Sequence, residues 1–78
     1  MKDVKKDVYY WYQQKGNSMK YRELAELMKS AGWVFERNGK GSHKIWRKDK
    51  QIIPIPDHGS KEINPGLVKA IIKQAGIR

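Results

Sequence analysis

The sequence predicts an α+β fold: one small α-β-β-β-α domain, with a three-stranded antiparallel sheet and both helices on one of its faces. Three observations predict it. Two segments carry apolar residues at i, i+3, i+4 and i+7: Leu24, Leu27, Met28 and Ala31, then Val68, Ile71, Ile72 and Ala75. That spacing is the stripe of a helix with one buried side. Between them lie short runs rich in Trp, Val, Phe and Ile, punctuated by glycine and by Asp49-Lys50, as strands and hairpins are. With one apolar stripe each, the two helices must cover the same sheet face, which leaves the other face to solvent.

Taken in order, Met1–Ser18 stands apart. It has a mixed-charge start, the aromatic run Tyr9-Tyr10-Trp11-Tyr12, and a turn-like Gln13–Ser18 tail. Met19 then reads as a natural start. Residues 1–18 are therefore an N-terminal extension, a mis-assigned start or an appended segment, and the domain spans 19–78. The first helix is predicted over Lys20–Ala31, with Ser18 or Asn17 as its cap and Gly32 at C′. Trp33–Asn38 and Ser42–Lys48 are the first two strands. Asp49-Lys50 is a two-residue hairpin turn, and Gln51–Ile55 is the third strand. Pro54 and Pro56 cannot donate to a ladder, which places that strand at an edge. Asp57–Ile63 is predicted as a loop. Asn64 and Pro65 are the N-cap and N1 of the last helix, and Gly76 is its stop.

Size and charge narrow the function. A chain of 78 residues has room for one domain and for no deep substrate cavity, so any chemistry sits on an open face. There is no cysteine, and two histidines with scattered carboxylates make a poor zinc set; no metal and no other cofactor is expected. No apolar stretch approaches a membrane span and no signal peptide is evident, so the expected location is the cytoplasm. Residues 19–78 carry 13 Lys and Arg against 6 Asp and Glu, and 37–50 hold six cations against Asp49. Such a cluster is the footprint of a polyanion partner.

The most informative stretch is Gly39-Lys40-Gly41-Ser42-His43-Lys44-Ile45-Trp46. Glycines beside Lys40 admit φ > 0 and close approach to a ligand. Histidine is the side chain that serves as acid and base near neutral pH, and lysines hold phosphate. A proton-transfer group in a phosphate-attracting turn points to RNA and to cutting it. RNA brings its own nucleophile, the 2′-OH, so one histidine with cations suffices. His43 is the candidate catalytic group; Lys40, Gly41, Ser42, Lys44, Arg47 and Lys48 are candidates for phosphate contact; His58 is a possible second proton carrier. Each has a plainer reading: a strand histidine bonded to its neighbours, solvated cations, a serine that shapes the turn, a loop histidine on a carbonyl. Trp33 and Trp46 read first as core and second as base-stacking platforms. Strict alternation groups His43, Ile45 and Arg47 on one face and Ser42, Lys44 and Trp46 on the other. A solvent-facing His43 then exposes Ile45 and buries Lys44, and the sequence leaves open which face His43 takes.

The layout is that of the double-stranded-RNA-binding-domain fold. Residues 20–78 also resemble the HicA (YcfA-like) mRNA interferase toxins. The matching pieces are Glu23-Leu24, Ala31-Gly32-Trp33, Lys40-Gly41-Ser42-His43, Ile55–Ile63, Pro65-Gly66 and Lys73–Ile77. The resemblance implies metal-free endoribonuclease activity on mRNA and neutralisation by a HicB-like antitoxin protein that covers the active face. It also implies that the histidine of Gly-Ser-His, here His43, is catalytic. The reading from a different class is a non-catalytic binder of double-stranded or structured RNA that uses the same basic face. A DNA-binding repressor fits less well, because no polar recognition helix is evident.

Overall fold

The computed structural model describes residues 19–77; Met1–Ser18, with the aromatic run and both predicted capping residues, lies outside the described residues. The element order is β1 (Met19–Lys20), α1 (Tyr21–Ser30), β2 (Val34–Asn38), β3 (His43–Lys48), β4 (Gln51–Pro56), β5 (Glu62–Ile63) and α2 (Pro65–Ala75). Strands β2, β3 and β4 form an antiparallel meander in that spatial order. The predicted fold is the observed one, and the proline-bearing β4 is an edge strand. Its two-residue turn carries Asp49 at φ 55°.

Two local expectations are corrected. The 57–63 segment is not loop throughout: Glu62 and Ile63 pair antiparallel with Lys20 and Met19. Two-residue strands carry no periodicity, so the sequence hides them. The same pairing sets the start of α1. Lys20 occupies the N-cap position, and its backbone N–H donates to Glu23 Oε1 at 2.9 Å. The acidic side chain at the third helical position thus satisfies a donor that the helix cannot.

α1 ends as its glycine predicts. Gly32 takes φ 93°, the Gly32 N–H reaches Lys29 O at 3.0 Å and the Trp33 N–H reaches Met28 O at 2.9 Å, the paired bonds of a Schellman stop. The same pair closes α2, from Gly76 to Lys73 O and from Ile77 to Ile72 O. Asn64 Oδ1 accepts from the Gly66 and Leu67 amides at the start of α2.

All eight stripe residues of the two helices are buried, with Trp33, Trp46, Ile53 and Ile55, in one core. Trp46, Ile53 and Ile55 come from one sheet face, so both helices pack on that face. Trp33 ties the helix ends together: its Nε1–H donates to Ala75 O at 3.2 Å. Trp33 and Trp46 are both core residues, 2% exposed each, which leaves neither of these indoles as a platform for a base.

Candidate active site on the open sheet face

The uncovered face is a grid set by register. Val34, Arg47 and Ile52 form one row; Arg37, Ile45 and Pro54 the next; His43 sits opposite Pro56 at the end. Strict alternation holds along β3. His43 is exposed on the open face, Ile45 is half-exposed beside it, and Lys44 is half-buried on the helix side. The dilemma the alternation posed is therefore settled by accepting both of its costs. Lys44 meets the second cost with partners: its Nζ donates to Asn38 Oδ1 at 2.8 Å and lies 3.9 Å from Asp57 Oδ2.

A tight turn presents His43. The Gly39 N–H donates to His43 O at 2.8 Å, and the His43 N–H donates to Lys40 O at 3.1 Å. Gly41, at φ 60°, makes the corner. A Cβ at Gly39 would stand 2.8 Å from Ile45 Cδ1, the movable end of a half-exposed side chain, so the glycine this turn requires is Gly41, for backbone sign. The same carbonyl of Lys40 also lies 3.2 Å from His43 Nδ1. A carbonyl only accepts, so Nδ1 carries the hydrogen and donates. Neutral imidazole then keeps its lone pair on Nε2, the nitrogen outside this bond on an exposed ring.

The other predicted residues divide by position. Lys40, Gly41 and Ser42 belong to the turn itself, and Ser42 O accepts from the Asp57 N–H at 2.9 Å. His58 follows Asp57, so both histidines lie at the same end of the sheet, and both are exposed. Lys44 leaves on the opposite face from His43. Arg47 shares the His43 face four residues away, where its Nε pairs with Glu36; Arg37 holds the other carboxylate oxygen. Alternation from Val34 puts Glu36 on this face, and the bulge between Phe35 and Arg37 brings Arg37, opposite Ile45, onto it as well. Hydrogen bonding from Arg47 pulls the Glu36 carboxyl below the ordinary range and raises the arginine's own pKa further. Lys48 is the most distant: its Nζ donates to Ala31 O at 2.7 Å and so caps α1. Among the described residues, no three His, Asp or Glu side chains converge on one point, and no helix is long and apolar enough to cross a membrane.

Sequence reading missed two roles. Glu36 as the clamp on Arg37 and Arg47 depends on the bulge, which has no sequence signal. Asp57 anchors the turn through its backbone and Lys44 through its carboxylate; its place straight after an edge strand paired to Ser42–Lys48 was the available hint.

The comparisons with known proteins agree with this geometry in their reach along the chain. The family model described as the HicA toxin of bacterial toxin-antitoxin systems matches residues 21–77, which is β2–β4 with both helices. The chain is similar to a protein of Pseudomonas fluorescens (strain Pf0-1) named "Probable mRNA interferase HicA", with 44% identity over 61 residues, 77% of this chain and 98% of the relative. No solved structure gives a significant match. A family match that takes in both helices, the whole meander and the Lys40–His43 turn leaves one conclusion: the chain belongs to the HicA toxin family.

Proposed function

We propose that this toxin is an endoribonuclease that cuts mRNA by acid–base chemistry at His43, needs no metal or other cofactor, and is neutralised by a HicB-like antitoxin protein. Residues 19–78 form the active domain and 1–18 an extension, acting in the cytoplasm where mRNA is. The observation that carries the reading is the Nδ1–H···O bond to Lys40, 3.2 Å long. It orients an exposed imidazole with Nε2 as the base. Nε2 takes the 2′-OH proton, the 2′-oxygen forms a bond to phosphorus, and the bond to the 5′-oxygen breaks. That oxygen leaves protonated by the imidazolium, by His58 or by water. Products are a 2′,3′-cyclic phosphate and a 5′-hydroxyl. Lys40, in the same turn, supplies positive charge to the phosphate, with the Gly41 and Ser42 backbone giving close approach. The relative's name, a probable mRNA interferase, supports RNA as the substrate.

The test is cleavage of a defined single-stranded RNA by purified protein in EDTA, with end-group analysis. Full activity with cyclic-phosphate and 5′-hydroxyl ends is expected. Loss on chelation with recovery in Mg²⁺ overturns the metal-free mechanism, and tight RNA binding with no cleavage reduces the protein to a binding module.

A further inference from the structure

A second surface lies on the helix side of the sheet. An open groove of about 610 Å³ is lined by Tyr21 and Ala25 of α1 and by Phe35 and Trp46 of the sheet. This is within the range of small-molecule sites, ~300–1,000 Å³. Phe35 was assigned no role by its sequence, yet it is 47% exposed. Its ring packs edge-wise on the buried Trp46, with centroids 6.0 Å apart and planes at 71°. Trp46 is itself fixed by its Nε1–H donating to Tyr21 Oη at 3.2 Å. Phe35 is thus a half-exposed aromatic ring seated on a buried one. Lys20, Arg22 and Lys29 line the groove together with Glu26 and Asp57; Lys29 Nζ lies 3.7 Å from Glu26 Oε2, which leaves Lys20 and Arg22 as the cations beside the ring. An exposed aromatic with flanking cations is the combination that holds bases of single-stranded nucleic acid.

The groove is continuous with the turn that presents His43. Asp57 lines it, and the Asp57 N–H is bonded to Ser42 O. Trp46 lies three positions along β3 from His43, about 10 Å of strand at ~3.3 Å per residue, with the two side chains on opposite faces. A single strand passing over the end of the sheet reaches both.

We infer that this groove holds a base of the RNA flanking the cut linkage, stacked on Phe35, and that it helps set where the strand is cut. The inference rests on the RNA-cleaving reading above and adds a specificity site to it.

The experiment uses the full chain, with RNA carrying a 2′-deoxy sugar at the cut site. Binding is then read where no cleavage occurs, and the groove is tested even if the chemistry assigned to His43 fails. Phe35→Leu keeps apolar bulk and removes the ring face; Phe35→Tyr keeps the face. Phe35→Leu is expected to raise Kd about tenfold, the size of losing one stacked base, while Phe35→Tyr stays within about threefold. An abasic substitution at one flanking nucleotide is expected to cost the parent a similar factor and Phe35→Leu nothing more. On cleavable RNA, Phe35→Leu should raise KM far more than it lowers kcat and should blur the cut positions. Parent-like Kd in Phe35→Leu overturns the inference. So does a lower melting temperature with unchanged Kd, which would assign the groove to packing, including packing against this chain's own Tyr9–Tyr12.

Discussion

At the scale of single residues, His43 differs from His58 in how it is held. Both are exposed, but only His43 has a ring nitrogen bonded to a carbonyl of its own turn. His43→Ala should lower cleavage at least ~100-fold, the lower bound for losing a positioned proton carrier. It should move the RNA Kd only a few-fold, because the cations of the turn remain. Stability should stay within about 0.5 kcal/mol of the parent, as for other exposed positions. His58→Ala should cost less activity. Single-turnover rates for both variants decide it: an active His43→Ala beside an inactive His58→Ala would invert the assignment. Gly41 is the other residue with a sharp expectation. Its φ of 60° costs an L-residue about 1–2 kcal/mol, although the space around it is open. Gly41→Ala should therefore lower the urea midpoint by about that stability, and Gly41→Asn by less, since Asn tolerates this region. The cleavage rate should fall in parallel, because the turn sets the Lys40 carbonyl against the His43 ring.

At the scale of elements, side-chain bridges add to the backbone ladders that hold the sheet. The Glu36 clamp joins β2 to β3 through Arg47 and reaches Arg37 within β2. Its carboxyl is pulled down on folding, chiefly by the hydrogen bond from Arg47. A depressed folded pKa contributes stability above the unfolded glutamate value of about 4.3. The contribution is lost as pH falls through the lower folded value. Acidification below about pH 4 should thus lower the melting temperature of the parent more than that of Glu36→Gln. Parallel pH curves for the two proteins would mean that the clamp stabilises nothing. Because the carboxylate is solvent-accessible, high salt should shrink the difference. At the next position of β3, Lys48 donates to Ala31 O and so places a cation at the C-terminal end of α1, where the helix dipole favours it.

At the scale of the whole molecule, charge and partnering have to be read together. Six cations in 37–50 would suggest as many phosphate contacts. The structure reduces that number: Lys48 is spent on a helix end, Lys44 on Asn38 and Asp57, and Arg37 and Arg47 share Glu36. Lys40 and Lys50 make no ion pair among the described residues. Two to four phosphate contacts at roughly −0.7 each give a log–log salt slope of about −1.5 to −3 for single-stranded RNA. Filter binding across a salt series checks it, and a slope near zero would exclude the basic strand as the RNA site. The open face also exposes Val34 at 59% and Ile52 at 43% on either side of Arg47, a mixed apolar and basic surface that suits a protein cover as well as RNA.

The sequence by itself determined the elements whose signals are local. Leu24–Ala31 and Val68–Ala75 announce helices by period. Gly32, Asn64-Pro65 and Gly76 announce their ends, and Pro54 and Pro56 announce an edge strand, because each of these depends on backbone sterics within a few residues. Even the alternation of His43, Ile45, Trp46 and Arg47 was legible as a pattern. Its sign was not, since which side of a strand is buried depends on where the helices land. Only the tertiary structure decided that Trp46 faces the helices and His43 the solvent, and that Lys44 and Lys48 are tied to Asn38, Asp57 and Ala31. It also decided that a bulge at Glu36 gathers two arginines, that β1 and β5 pair, and that Phe35 stands half-exposed over Trp46. Each of these joins residues far apart along the chain or depends on a register, and no local period records a register.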